Sequence, residues 1–406
     1  MKTRTFSYTE AVSLLTSREK FHIKLGLERI REILEYFNNP QDRIKTVHVA
    51  GTNGKGSTCA MLASVLEHAG YKTGLYTSPH LVEYTERFRI NNLKIAQDDF
   101  AKLLFRVIEL IERKNIPATE FEILTAAAFV YFYEQKVDFA VIETGLGGRL
   151  DAANTIKKPE LTIITDIDLD HTARLGDTIE KIAYEKAGII KPNSPVITLE
   201  DNRGLDVIRE KSAQTASPLI LTSPKNIEES GLKGIWHARN LSLVKQAVDL
   251  LRNKGIKVSE KAEEKGINNT VWPGRFQYIK EENLVIDAAH NPAAARLLRK
   301  SLDKHFPGND RVFIYSSLNT KDYKGVADIL FRPEDRVILT KTQSSSASVE
   351  PEVLAKCVNN KCKEVYLSQN VKEAVEICKN LYQQRDLIIF TGSIYTIGEF
   401  YSSMPS

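Results

Sequence analysis

A chain of 406 residues is too long for one hydrophobic core, so two domains are expected; 42% hydrophobic and 27% charged residues describe an ordinary globular protein. The net charge of +4 is too small for a dedicated nucleic-acid binder, yet it suits anionic small substrates. No run approaches the roughly 18 apolar residues of a membrane span, and MKTRTFSYTEAV has no apolar stretch behind its basic residues. The expectation is a cytoplasmic protein with no membrane or nucleic-acid partner. Cys59, Cys357, Cys362 and Cys378 show no zinc spacing and read as reduced thiols.

The first informative element is a short strand at 44–49 leading into HVAGTNGKGST (48–58) and then an apolar helical pattern over 59–68. Glycines at 51, 54 and 56 let backbone N–H groups approach a polyphosphate, Lys55 supplies a mobile cation, and Ser57 supplies a hydroxyl for Mg²⁺. A strict G-x-x-x-x-G-K-[ST] pattern is not met, because Gly56 separates Lys55 from Ser57. Helices are predicted at 58–69, 98–114, 122–135, 178–188 and 240–254. Nearly continuous apolar strands are predicted at 47–50, 138–144 and 161–165.

Each catalytic-looking cluster sits just after the carboxyl end of a strand, where open α/β sheets bind ligands. Glu143 closes the apolar run DFAVIE, where a carboxylate is costly unless it is paired or metal-bound; with Ser57 it offers the oxygen ligands that Mg²⁺ favours. His171 lies beyond LTIITDIDLD among Asp166, Asp168 and Asp170, and reads equally as a metal ligand or a solvated loop residue. In TIEKIAYEKAGII (178–190), Ile179, Ile182, Ala183, Lys186, Ala187 and Ile190 form one helical stripe, so Lys186 lies on the apolar face and Lys181 elsewhere. Lys186 either snorkels or is desolvated; a desolvated amine stays partly neutral and can take up CO₂ as a carbamate. After WPGRF (272–276), strands at 284–289, 311–317, 336–340, 364–367 and 387–391 alternate with helical patterns. The predicted fold class is α/β: a P-loop-containing, mostly parallel sheet domain with helices on both faces over 1–273, then a smaller Rossmann-like α/β domain over 274–406. Arg275, Asp287 and His290 sit at or just after the junction, where Arg275 suits nucleotide phosphates and Asp287 a ribose hydroxyl.

Together these motifs resemble the folylpolyglutamate synthases and dihydrofolate synthases of the Mur ligase superfamily. The resemblance runs through KLGLERI (24–30), HVAGTNGKGST, TSPHLVEYTERFRIN (77–91), FEILTAAAF (121–129), ETGLGGRLDAANT (143–155), DHTARLG (170–176), AYEKAGIIK (183–191), PGRFQ (273–277), DAAHNP (287–292) and TGSIY (391–395). It implies ATP contacts from Gly54, Lys55, Gly56, Ser57, Thr58, Asn240, Arg275 and Asp287. It implies two Mg²⁺ sites, one on Ser57 and Glu143 and a second on His171 with Glu143 shared, and Lys186 as a carbamylated metal ligand. Lys55, Lys186 and His171 would be the catalytic set. Phe121, Glu122, Leu150, Asp151 and Ala152 match the pterin or pteroate pocket, and Ile23, Lys24, Leu25, Ser78, His80 and His290 match further substrate-binding positions.

Two departures stand out. Trp236-His237 occupies the place of His-Gln in relatives, and Lys24 stands where some bifunctional members carry an acidic residue. The activity implied is ATP-driven joining of L-glutamate to a reduced folate or dihydropteroate through an acyl phosphate, by a monomer. Folylpolyglutamate synthesis is the primary expectation and dihydrofolate synthesis is left open. A peptidoglycan amino-acid ligase would need a uridine-nucleotide domain before the loop, where only about 50 residues stand. A non-ligase nucleotide switch would not need Glu143, His171 and Lys186 together.

Overall fold

The structure, a computed structural model, describes residues 7–17, 26–224, 234–358, 360–383 and 385–403. These fall into two compact units: residues within Met1–Ile227 and Arg239–Thr270, and residues within Glu228–Ala238 and Val271–Ser406. The chain therefore changes unit within 225–239 and again after Thr270, so the division is not a single cut.

The first unit is built on an eight-stranded sheet: β1 (Lys45–Ala50), β2 (Thr73–Tyr76), β3 (Phe88–Ile90), β4 (Leu93–Lys94), β5 (Phe139–Glu143), β6 (Leu161–Ile164), β7 (Val196–Leu199) and β8 (Leu219–Thr222), in the order β4-β3-β2-β5-β1-β6-β7-β8. From β2 to β8 every pairing is parallel; β3 and β4 add antiparallel at one edge. Strand β1 lies between β5 and β6, with His48 opposite Ile142 on one side and Thr162 on the other. Parallel pairing places the carboxyl ends of β2, β5, β1 and β6 side by side, the edge where open α/β sheets carry their ligands.

The helices fix that edge. Helix Lys55–His68 packs on β1, β2 and β5 and is buried on nearly every side. Helix Glu260–Asn268 covers it so closely that a Cβ on Gly266 would stand 2.5 Å from Val65 Cα, so only glycine fits there. A large cluster joins Leu15, Ile30, Leu104, Phe129 and Phe132, from four helices, to Ala140 and Ile142 of β5. Another joins Ile182 and Ala183 of helix Ile179–Ala187 and Ile208 of helix Leu205–Gln214 to Ile164 and Val196.

The second unit has six strands: β9 (Gln277–Ile279), β10 (Leu284–Asp287), β11 (Asp310–Tyr315), β12 (Arg336–Leu339), β13 (Glu364–Leu367) and β14 (Asp386–Thr391), in the order β13-β12-β11-β14-β10-β9. All pair in parallel except β9, antiparallel on β10. The α/β class and the two parallel-dominated sheets are those expected. Strands β2, β7 and β8 were not foreseen.

The second unit encloses an ion pair: Arg299 Nη1 lies 2.6 Å from Asp335 Oδ2, with side chains 7% and 0% exposed. Burial raises the Asp335 pKa even with Arg299 beside it, so desolvation is the larger effect. Removing one partner strands the other charge in the core. Asp335→Ala is expected to lower stability by about 3–5 kcal/mol, read by urea unfolding of the full chain, against ~0–1 kcal/mol for an exposed pair.

Candidate active site

The loop after β1 is fastened to the segment after β6. Thr165 N–H donates to Ala50 O (2.8 Å), Thr165 Oγ1 donates to Asn53 O (2.7 Å), and Thr52 N–H donates to Asp166 O (2.7 Å). Thr52 Oγ1 donates to Asp168 O and accepts from Asp168 N, both at 3.0 Å. Gly54 caps helix Lys55–His68 with φ +86°, a left-handed value that glycine adopts without strain, and a Cβ there would collide with Asn240 Oδ1. Lys55, Gly56 and Ser57 form the first turn, whose N–H groups precede the first helical hydrogen bond (Thr58 N–H to Gly54 O, 2.9 Å) and suit a phosphate. Lys55 Nζ donates to Thr52 O (3.2 Å). Thr58 Oγ1 and Asn240 Nδ2 are buried without a hydrogen-bond partner, two polar atoms left available at the loop.

Glu143 ends β5 opposite Val49, is 4% exposed, and its Oε2 accepts from Ser78 N–H (3.1 Å). The loop bearing Ser78 is thus tied to the strand-end carboxylate. Lys186 is 4% exposed and donates from Nζ to Gly51 O (2.6 Å), while Lys181 lies at the surface with Asp177. Burial, reinforced by the charge of Lys55, lowers the Lys186 pKa to about 7; Asp170 and Asp151 act in the opposite sense. Asp151 accepts from Leu146 N–H (2.8 Å) and Ala153 N–H (3.0 Å), and burial raises its pKa to about 6.

His171 has φ +51° and a half-exposed side chain, with Nε2 4.0 Å from Asp170 Oδ1. Of the three aspartates before it, Asp166 is held by Arg239 and Asp168 by Arg203, and Asp170 is the one whose charge acts on the buried lysine. Among the described residues no group of three or more His, Cys, Asp and Glu is gathered to hold a metal. Ser57, 3% exposed, and Glu143 are instead a sparse oxygen set, which fits Mg²⁺ because that ion keeps positions for phosphate oxygens and water.

The residues expected around a pteroate divide by what they already do. The Phe121 ring fills the space beside Gly145 and lies 6.3 Å from the Tyr76 ring. Leu150 is half-buried and Ala152 buried. Glu122 Oε2 closes a capping box with Thr119 and accepts from Arg29 Nε at 3.1 Å, while its buried Oε1 has no hydrogen-bond partner. His80 Nδ1 accepts from Arg87 Nε (2.9 Å) and its ring lies 4.3 Å from that of Tyr84; burial, then the Arg87 charge, lowers its pKa to about 3 and keeps it neutral. Ile23, Lys24 and Leu25 lie outside the described residues.

In the second unit, Asp287 ends β10 and its Oδ2 accepts from Phe276 N–H (2.8 Å). Burial raises its pKa to about 6 against the opposing charge of Arg275. His290 Nδ1 stands 2.8 Å from Ala288 O, a carbonyl that can only accept, so that nitrogen carries the proton. Trp236 packs edge-on against Phe276 (5.4 Å), and burial keeps His237 neutral, its pKa lowered to about 4.

Sequence reading missed Thr52, Thr165, Arg203 and Arg239, which hold the loops. The only signals were a threonine closing the run LTIIT and an arginine immediately before Asn240. It also missed Thr340, Thr391 and Ser393, whose buried hydroxyls have no partner near the carboxyl ends of β12 and β14.

Residues 49–277 match the Mur ligase middle domain, and residues 274–394 match the Mur ligase glutamate ligase domain. The chain is 36% identical to a probable dihydrofolate synthetase of Schizosaccharomyces pombe, over 93% of this chain and 98% of that protein. It is 32% identical to a dihydrofolate synthase/folylpolyglutamate synthase of Bacillus subtilis, over 97% and 98%. The solved structure of a bifunctional folylpolyglutamate synthase/dihydrofolate synthase from Yersinia pestis, complexed with AMPPNP and Mn ion, matches with a TM-score of 0.88 and 27% identity over 99% of both chains. With both Mur domains in order and full-length relatives of this kind, the chain belongs to the folylpolyglutamate synthase and dihydrofolate synthase family of Mur ligases.

Proposed function

We propose that this chain is an ATP-dependent ligase that joins L-glutamate to the carboxylate of a reduced folate or dihydropteroate. One observation carries the reading beyond nucleotide binding. A buried lysine, Lys186, donates to the phosphate-loop carbonyl of Gly51, in a site that also holds the buried carboxylates Asp151 and Glu143. A nucleotide switch has no use for a desolvated amine there.

In the first step a substrate carboxylate oxygen attacks the γ-phosphorus of ATP. A P–O bond forms, the bond to the ADP oxygen breaks, and an acyl phosphate results. The glutamate amine then attacks the acyl carbon, loses a proton, and the tetrahedral adduct collapses with release of phosphate. Two anions must approach, so positive charge is the main requirement. Lys55 and the N–H groups of Gly56 and Ser57 face the phosphates. Ser57 and Glu143 would hold one Mg²⁺, and His171 and a Lys186 carbamate a second, whose charge offsets that of the phosphates when bound. A pKa of about 7 leaves much of the Lys186 amine neutral at neutral pH, the form that adds CO₂ and loses a proton to become a carbamate. Asn240 supplies its unpartnered Nδ2 to the nucleotide, and Arg275 and Asp287 keep their assignment to ATP.

Phe121, Leu150 and Ala152 offer apolar surface to the pterin or pteroate, with Ser78, His80 and Asp151 beside them as polar candidates; Glu122 acts by fixing the helix that carries Phe121. Residues 1–273 are read as the ATP- and pteroate-binding part and 274–406 as the part that receives glutamate, to which His290 and the unpartnered hydroxyls of Thr340, Thr391 and Ser393 are suited. The enzyme is further read as a cytoplasmic monomer; its four free cysteines accord with a reducing compartment.

Purified protein with MgATP and glutamate is expected to release ADP when tetrahydrofolate or dihydropteroate is added, and not when glutamate or the pteroate is withheld. No ADP with either acceptor sinks the proposal. Lys186→Ala is expected to lose about 100-fold or more in turnover, with partial rescue by short carboxylates such as acetate; near-full activity of the variant refutes the carbamate role. Gly54→Ala, which drives a methyl into the Asn240 amide, is expected to raise the KM for ATP about tenfold and leave that for glutamate within about twofold.

A further inference from the structure

Arg239 is the first residue after Ala238 to belong to the first unit, and it directly precedes Asn240 in helix Ile235–Asn253. Its guanidinium engages two carboxylates at once. Nε lies 3.1 and 3.0 Å from the two oxygens of Asp166; Nη1 lies 2.7 Å from Asp201 Oδ2 and Nη2 2.9 Å from Asp201 Oδ1. The Arg239 and Asp166 side chains are only 22% and 24% exposed, whereas that of Asp201 is 56% exposed. The inner pair is therefore partly shielded from solvent, where a forked, charge-assisted contact is strongest.

Asp166 is also part of the brace on the phosphate loop. Its carbonyl accepts from Thr52 N–H, and it forms an isolated antiparallel bridge with Asn53. One residue further along the helix, the Asn240 amide occupies the space beside Gly54. Arg239 and Asn240 thus hold the loop from two directions: one through the Asp166 backbone, the other by direct contact.

We propose that Arg239 is a positioning residue for ATP. It does not touch the nucleotide; it sets the register between the start of this helix, the Asp166 segment and residues 51–54, so that the loop is formed before the triphosphate arrives. Preorganisation of this kind appears in affinity, because an unformed loop must be ordered at the cost of binding energy. Arginine is required because one planar fork can serve two carboxylates, whereas an ammonium is a single compact charge. The inference rests on the reading of this loop as an ATP site.

The test uses full-length protein and four measurements: the Kd for MgATP by calorimetry, the KM for ATP, the KM for glutamate, and the thermal midpoint. Arg239→Met is expected to weaken both nucleotide constants by about tenfold or more, with the glutamate KM within about twofold. Arg239→Lys is expected to fall between Met and wild type. Asp201→Asn alters only the outer, mostly exposed pair and does not threaten folding; it is expected to weaken MgATP about two- to fivefold. Wild-type MgATP affinity in Arg239→Met and Asp201→Asn overturns this inference alone. So does a loss that falls equally on the ATP and glutamate constants and follows the thermal midpoint, since that is a purely structural role. A wild-type chain that binds no MgATP overturns the ATP reading and this inference with it.

Discussion

The site depends on the parallel pairing of β1 with β6. That pairing sets Ala50 against Ile164, and the two chains continue past the sheet together as residues 51–54 and 165–168. The hydrogen bonds of Thr52 and Thr165 turn a glycine-rich segment, which would otherwise sample many conformations, into a fixed surface. Three glycines between 51 and 56 would by themselves give mobility; the brace makes their absence of side chains useful, because backbone N–H groups become exposed without becoming loose. Glu143 on β5, Ser78 after β2 and Lys186 beneath Gly51 are all positioned relative to that braced loop.

The electrostatics follow from depth. Lys186 lies below the loop, where desolvation is the largest influence on its amine and Lys55 opposes a second nearby positive charge. Asp151 is buried as well and has its own backbone donors, yet desolvation still prevails. The same physical cause thus moves an amine and a carboxyl toward neutrality, which lowers the cost of keeping both in one closed site until a charged substrate enters. By contrast, two carboxylates nearby are tethered by partners: Asp166 by Arg239 and Asp168 by Arg203. The triad of aspartates is therefore mostly scaffolding, and His171 is presented by a loop that two arginines hold still.

What was legible in the sequence was local. The loop motif, the strand-end carboxylate and the helical stripe that buries Lys186 are each patterns within about a dozen residues, and periodicity resolves them. The brace was not legible, because Thr52 meets Asp168 across 116 residues and Thr165 meets Asn53 across 112. The same holds for Asn240 against Gly54. Glu122, which the family resemblance assigns to the pteroate pocket, also completes a capping-box spacing with Thr119 three residues earlier, a local signal that the sequence does carry. The short strands β2, β7 and β8 pair with neighbours distant in the sequence, and those pairings are not written in the runs themselves.

The Trp236-His237 departure is the clearest case of a sequence difference whose consequence only structure can assign. Trp236 packs edge-on against Phe276, and Phe276 donates its N–H to Asp287. The indole therefore buttresses the residue that orients the buried carboxylate, and Phe276 itself has φ +47°, a backbone conformation that a phenylalanine holds only when its surroundings require it. His237, buried and neutral, adds no charge beside Arg275. Trp236 thus packs on the turn between Arg275 and Asp287 through Phe276.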